Sequence, residues 1–286
     1  MTKGYFTIAQ GESYQRMAYA LALSLKLSQP EEYSKLSIGV TKDEIKNINP
    51  KYLKVFDKVV EIPWDDAAKD SDWKLENEWK VIHMTPYDET IKLDADMLFL
   101  NDISYWWKCL EESDGVFATD VYTYRGDKVT SDYYRKVYTE NDLPNIYTAF
   151  FYFKKNEVNF ELFKWAQFIF DNWEKCFYEL LGPEHRPKFV STDVVFALAA
   201  KIVDYQQYNK LPTVDMPTFI HMKSQLQGWP DDQFMQEDWT EMVQAHFNRE
   251  CNLMIGNYRQ MLPFHYHVKD FLTDKMILNM ERKLGL

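Results

Sequence analysis

Two carboxylates, Asp94 and Asp96, interrupt an apolar strand-like run: Thr90-Ile91-Lys92-Leu93 leads into them and Met97-Leu98-Phe99-Leu100 follows at once. Strand alternation points both to one side, where ionised carboxylates are costly to bury without a compensating cation. A hard divalent ion supplies that charge through carboxylate oxygens, and by bridging a nucleotide diphosphate it would also neutralise charge developing on a leaving group. Asp-x-Asp alone is a common pattern in an acidic chain. Its plainer reading is a strand end whose side chains cap the backbone donors of the next turn. His265 and His267 flank Tyr266 and share a strand face, but no cysteine or carboxylate cluster lies near them in sequence, so they read as structural.

The elements that must position these groups follow from periodicity. Tyr5-Phe6-Thr7-Ile8-Ala9 is a short strand ended by Gln10-Gly11, and Tyr14, Met17, Ala18, Leu21, Ala22 and Leu25 recur at helical spacing after it. Leu36–Val40 and Lys58–Ile62 are further strands, the second closed by Pro63. Gly115–Ala118 and Ala149–Phe153 come next, then a long helical pattern from Phe160 to Trp173 and a helix from Thr192 to about Val203. Strands separated by helix-length segments imply an α/β fold with a doubly wound, mostly parallel sheet. Leu226–Asp238 reads as a loop, and Met276, Ile277, Met280 and Leu284 mark a terminal packing helix. The expected organisation is one nucleotide-binding and catalytic domain over 1–230, with a helical C-terminal extension over 231–286 packed on it.

Composition narrows the function classes. The 33 Lys+Arg against 44 Asp+Glu give a net charge of -11, which opposes long-range attraction to phosphate polymers and anionic membranes. Cys109, Cys176 and Cys251 form no Cys-x-x-Cys pair and read as buried free thiols. The amino terminus runs into a strand without the apolar stretch of a secretory signal, and no uncharged run reaches membrane-spanning length, so a cytoplasmic location is expected.

The ordered set of an amino-terminal strand-helix unit, Lys74-Leu75, Trp79, and then Lys92-Leu93-Asp94-Ala95-Asp96-Met97-Leu98-Phe99-Leu100-Asn101-Asp102-Ile103 resembles glycosyltransferase family 8, the glycogenin-like and bacterial galactosyltransferase-like GT-A enzymes. The resemblance covers roughly the first 230 residues. It implies a GT-A fold, a UDP-sugar donor, and uridine beside Ala9, Gln10 and Tyr14. It also implies a helical lysine on phosphate or sugar, Lys74 or failing that Lys80, and donor-sugar contacts at Asp120. Phe219-Ile220-His221 through Trp229 resembles the family's His-x-x-Gly-x-x-Lys-Pro-Trp segment, whose histidine completes the metal site. A late strand ending at Ile220 would deliver His221 to the carboxyl end of the sheet, beside Asp94 and Asp96. Two carboxylates with an imidazole suit manganese better than magnesium.

The chain departs from the family pattern at several points. Ser224, Gln227 and Gly228 replace the segment's glycine, lysine and proline, leaving Lys223 as the expected diphosphate contact. Thr148-Ala149-Phe150 stands for Asn-Ala-Gly, and Ser191-Thr192-Asp193 for Asp-Gln-Asp. Asp193 is read either as a catalytic-face carboxylate or as a helix N-terminal charge, and bulky Phe150 suggests an atypical donor or acceptor. Trp64, Trp73, Trp79, Trp106 and Trp107 include candidates for sugar stacking, against a plainer reading as core or rim aromatics.

The expected activity is metal-dependent transfer of a glycosyl group, hexosyl or pentosyl, from a UDP-sugar to a hydroxyl acceptor, with retention if the resemblance extends to stereochemistry. The acceptor is a glycan, protein, small molecule or hydroxymethylated DNA base. A non-catalytic sugar-nucleotide-binding protein is the alternative. A sugar nucleotidylyltransferase is disfavoured because Ala9-Gln10-Gly11-Glu12 lacks the glycine-rich first loop.

Overall fold

The computed structural model describes residues 1–71, 74–129, 135–182, 190–205, 216–222, 239–248, 250 and 252–286. The strands are β1 (Lys3–Ile8), β2 (Leu36–Val40), β3 (Val59–Glu61), β4 (Glu89–Leu93), β5 (Met97–Leu98), β6 (Gly115–Ala118), β7 (Asp120–Tyr122), β8 (Tyr147–Lys154), β9 (Thr218–His221), β10 (Ala245–Phe247), β11 (Leu253–Ile255), β12 (Tyr258–Arg259) and β13 (Phe264–His265). The helices are α1 (Glu12–Ser28), α2 (Lys42–Ile45), α3 (Pro50–Leu53), α4 (Val81–Met84), α5 (Tyr105–Leu110), α6 (Lys136–Glu140), α7 (Glu157–Asp171), α8 (Trp173–Leu180), α9 (Thr192–Ile202), α10 (Trp239–Met242) and α11 (Asp274–Leu284).

The main sheet runs β3-β2-β1-β4-β8-β6. Its first four strands are parallel, while β8 runs antiparallel to both β4 and β6. Alternation along β1 places Tyr5 in one apolar layer with α1, and Phe6 and Ile8 in the other with α7 and α9. Helices therefore cover both faces, as the strand-helix spacing implies. Asn172 separates α7 from α8, so the helical pattern expected as far as Trp173 ends at Asp171 and a second helix begins at Trp173.

A second sheet, β5-β13-β9-β7, grows from the end of β4. In it β13 lies antiparallel to β5, pairing His265 with Met97, and parallel to β9, pairing His265 with His221. The segment expected as a helical C-terminal extension carries strands as well as helices. Between α10 and α11 the chain forms β10 to β13, and β13 completes the sheet that holds the end of β4. Two-residue strands such as β13 are too short to show alternation; their partners define them. The terminal helix α11 packs on α1, and its buried Glu281 accepts from Tyr19 Oη at 3.0 Å and Lys51 Nζ at 2.6 Å.

Cys176 is buried and Cys109 half-buried, both as free thiols, and Cys251 lies outside the described residues. Among the described residues no helix is long and apolar enough to cross a membrane.

Gly4 in β1 is a point of close approach: a Cβ there would lie 2.4–2.7 Å from the Tyr87 ring. That ring is buried and its hydroxyl is fixed by Ser37 at 2.7 Å and Asp57 at 3.0 Å, so it cannot swing aside freely. Gly4→Ala should cost about 1–3 kcal/mol through overpacking. A thermal melt checks this, and an unchanged Tm would contradict it.

Candidate functional site

At the carboxyl end of β4 the chain turns through Asp94-Ala95-Asp96 into β5. Both ends of the turn are fixed by backbone bonds: Asp94 N–H donates to Ala149 C=O at 3.1 Å, and Tyr266 N–H donates to Asp96 C=O at 3.1 Å. The second bond brings β13, and with it His265, against the aspartates. His265 Nε2 lies 3.1 Å from Asp96 Oδ1 and 3.8 Å from Asp94 Oδ2. One ligand atom from each of Asp94, Asp96 and His265 falls within 4.8 Å of the others, a spacing that one divalent cation can bridge.

The third group facing the aspartates is therefore His265, where the sequence points to His221. His221 stands behind it, its Nδ1 3.0 Å from His265 Nδ1. It is buried beside Tyr147 and Phe219, and it lines the same cavity. The reason is topological: β13 inserts between β5 and β9, so the later histidine occupies the place beside the carboxylates. Burial, then the neighbouring His265, His267 and Arg135, holds the His221 imidazole well below the ordinary histidine range. Burial raises the proton affinity of Asp96, but His265 and His267 outweigh it and hold the carboxyl at about 2.

Lys92 is a buried charge that the sequence reading passes over. Its ammonium contacts Asp94 Oδ1 at 2.7 Å, Glu78 Oε2 at 2.8 Å and the Thr148 carbonyl at 3.3 Å. Burial opposes its charge, but Asp94 and Glu78 outweigh that cost and hold the ammonium above the ordinary lysine range. Glu78 is raised by its own burial and by Asp94, with Lys92 opposing. The available signal was a lysine between Ile91 and Leu93 in a buried strand, two residues before Asp94 and so on the same face.

The aspartates open into a cavity of about 500 Å³. Gln10 and Tyr14 line it, whereas Ala9 is fully buried and spends its N–H on Gly39 C=O at 2.8 Å. Gln10 donates to Asp66 at 3.0 and 3.1 Å and accepts from Asn77 at 2.9 Å, so its amide orientation is fixed. Burial of Asp66 is outweighed by hydrogen bonds from Asn77, Gln10 and the Ala68 N–H, and its carboxyl is lowered below the usual range. Lys269 Nζ sits 4.3 Å from the Tyr14 ring centroid, and both side chains line the cavity.

Lys74 also lines the cavity, but in a left-handed backbone conformation (φ 54°) where a helical lysine is expected. Its ammonium donates to the Ala68 and Lys69 carbonyls at 2.8 and 3.0 Å. Lys80 is buried against Trp79 and donates to the Asp65 carbonyl. Lys223 lies outside the described residues, as do Ser224, Gln227, Gly228, Trp229 and Trp73.

At the other end, Asp193 in the first turn of α9 lines the cavity and accepts from Thr148 N–H at 2.8 Å and Thr148 Oγ1 at 2.7 Å. Arg135 Nη1 reaches Asp193 at 3.1 Å, and its guanidinium lies 3.8 and 4.0 Å from the ring centroids of Tyr138 and Tyr147. Arg135 also donates to Asn145 Oδ1 at 2.6 Å and to the Ile146 carbonyl. Nothing in the local sequence around Arg135 signals this caged cation.

Asp120 is not brought to this cavity. It opens β7, pairs with Lys128 at 2.8 Å, and lines a separate polar cavity of about 510 Å³ with Asn145 and Lys201. Phe150 likewise turns away. Along β8 it is Ala149 that faces the cavity, while Phe150 is fully buried against Trp106. Tyr147, Thr148 and Ala149 line the cavity in succession, and the lining ends where Phe150 enters the core. Trp106 and Trp107 are core residues, and Trp64 is exposed but stacked on Trp79 at 5.5 Å, away from the cavity lining.

No family model matches this chain, and no curated protein does. Solved structures of similar shape include the apo form of mouse xyloside xylosyltransferase 1, 12% identical, with a TM-score of 0.42 over 72% of this chain and 82% of that one. The galactosyltransferase LgtC, in complex with donor and acceptor sugar analogues, is 10% identical, with a TM-score of 0.43 over 68% of this chain and 70% of that one. The apo glycosyltransferase GlyE of Streptococcus pneumoniae TIGR4 is 11% identical, with a TM-score of 0.44 over all of this chain and 64% of that one.

Arg135→Leu should destabilise the fold by about 3–5 kcal/mol, because it strands the part-buried Asp193 carboxylate without its cation. Urea unfolding measures this, and a loss below about 1 kcal/mol would show that the cage is not structural. Asp66 supplies a pH test. Its folded carboxyl is lowered, so its stabilising contribution is present above the unfolded carboxylate value near ~4 and is lost as pH falls through the folded value. Asp66→Asn should flatten the acid limb of Tm against pH below about 4. An acid limb as steep as that of the wild type would refute the assignment.

Proposed function

We propose that this chain is a metal-dependent glycosyltransferase that moves a sugar from a UDP-sugar to a hydroxyl acceptor. The observation that carries the reading is convergence on one cavity of Asp94, Asp96 and His265 with Gln10 and Tyr14 on one side and Asp193 on the other. Two carboxylates and an imidazole are a donor set that manganese favours over magnesium. When bound, the ion would lend electrophilic stabilisation to a departing diphosphate.

The remaining chemistry belongs to the chain. Gln10, fixed by Asp66 and Asn77, offers a buried amide edge suited to a pyrimidine base. Tyr14 presents an aromatic face, and Lys269 and Lys74 place cations within the same cavity for phosphate oxygens. Lys223, two residues after the end of β9 in sequence and outside the described residues, is proposed as a further diphosphate contact. Asp193, held by Arg135, and Thr148, held by Asp193, orient sugar or acceptor hydroxyls. A sugar held between the cation and Asp193 would have its anomeric carbon positioned by both ends of the donor, which is how orientation lowers a transfer barrier. The chain's strong negative charge favours a neutral glycan or small hydroxyl acceptor over DNA.

A panel of nucleotide-sugars with and without manganese, read by nucleotide release, tests the reading. Wild-type protein should release UDP in a manganese-dependent manner, and Asp96→Ala should lose on the order of a hundredfold or more in rate while staying folded. Wild-type turnover in that variant would refute the site. Tight donor binding with no release under any acceptor would favour a binding protein instead. Calorimetry in manganese should show UDP favoured over GDP and ADP by tenfold or more, about 1.4 kcal/mol, and equal affinities would mean that only the diphosphate is recognised.

A further inference from the structure

We propose that Lys92 is a positioning residue of this site: its ammonium takes one oxygen of Asp94 and so leaves the other turned toward Asp96 and His265. The inference rests on reading Asp94, Asp96 and His265 as a divalent-cation site. Its observation is independent of that reading. A lysine ammonium has three N–H donors, and Lys92 meets three acceptors, Asp94 Oδ1 at 2.7 Å, Glu78 Oε2 at 2.8 Å and Thr148 C=O at 3.3 Å.

Its side chain is only 4% exposed, so its three donors are turned to protein acceptors rather than to solvent. The Asp94 side chain is by contrast 33% exposed, at the rim of the cavity, where a carboxylate otherwise samples several rotamers. The Lys92 contact removes that freedom. It engages Oδ1, and Oδ2 is the oxygen 3.8 Å from His265 Nε2.

Glu78 completes the arrangement, because it offsets the buried lysine charge without touching Asp96 or His265. Through the Thr148 carbonyl the same ammonium is joined to the residue whose N–H and hydroxyl hold Asp193. Lys92 thus ties the cation end of the cavity to the Asp193 end by one side chain.

Lys92→Met alone would leave Glu78 buried without a cation and risks unfolding the protein. The informative variant is Lys92→Met with Glu78→Gln, which removes one positive and one negative charge together and leaves the net charge unchanged. Because Lys92 is the charge in contact with Asp94, its removal would by Coulomb interaction alone favour a cation, so a loss of affinity reports geometry rather than charge. Manganese alone is the probe, titrated by the electron paramagnetic resonance signal of the free ion, with circular dichroism confirming the fold.

Wild type should bind manganese, Glu78→Gln alone should stay within about twofold because Lys92 still holds Asp94, and the double variant should lose tenfold or more, about 1.4 kcal/mol. A folded double variant that binds as tightly as wild type, or more tightly, overturns the positioning role and leaves the cation site standing. Wild type that binds no manganese overturns both.

Discussion

The Lys92 ammonium is enclosed by two carboxylates and a carbonyl at the end of a central strand, where a charge with no partner would be expelled or neutralised. Each member of that cluster is tolerable only because the others are present. Glu78 comes from the turn before α4, Lys92 from β4, Thr148 from β8 and Asp94 from the turn into β5. The cluster therefore requires β4 and β8 in their antiparallel register and the 78–80 turn folded over the strand end. The sheet brings these groups together, and their mutual satisfaction fixes the place where the sheet ends.

The second sheet depends on that end being fixed. β5 is only two residues long and has little pairing energy of its own, and β13, equally short, supplies its partner. The bond from Tyr266 N–H to Asp96 C=O continues this pairing into the turn itself. Thus the segment that carries His265 does two things at once. It closes the backbone around Asp96 and places an imidazole against the Asp96 carboxylate. The apolar rings of Phe264, Tyr266 and Phe271, packed with Trp239, anchor that segment beneath the site.

From the same cluster a line of hydrogen bonds crosses the cavity floor through Thr148 to Asp193 and Arg135. Arg135 is held by two aromatic faces, a side-chain amide and a backbone carbonyl, so the carboxylate it grips has few alternative positions. A cavity built this way presents its polar groups already oriented, and a ligand entering it does not need to order them. The opposite wall repeats the device with two amides around a carboxylate, where Gln10, Asn77 and Asp66 fix one another.

The alternation and helical spacing in the sequence determined β1, α1, β2, the β4 run, β8, α9 and α11, because each buries a face whose period is local. They also placed two aspartates at a strand end, since interruption of an apolar run by charge is visible without knowing any neighbour. The partners of those aspartates were a tertiary decision. The strand before His221 was legible, but His265 sits in a two-residue strand too short to show a period, and register, not sequence distance, put the later histidine beside Asp96 and the earlier one behind it. Asp120 and Phe150 show the same limit. Asp120 belongs to the second sheet and lines a different cavity, and Phe150 follows directly on Ala149 yet packs into the core against Trp106. Lys92 was legible as an anomaly, a lysine in a buried strand, but its meaning depended on Glu78 and Thr148. A buried charge is stable only where its partners arrive, and for Lys92 they arrive from elements that only the folded chain brings together.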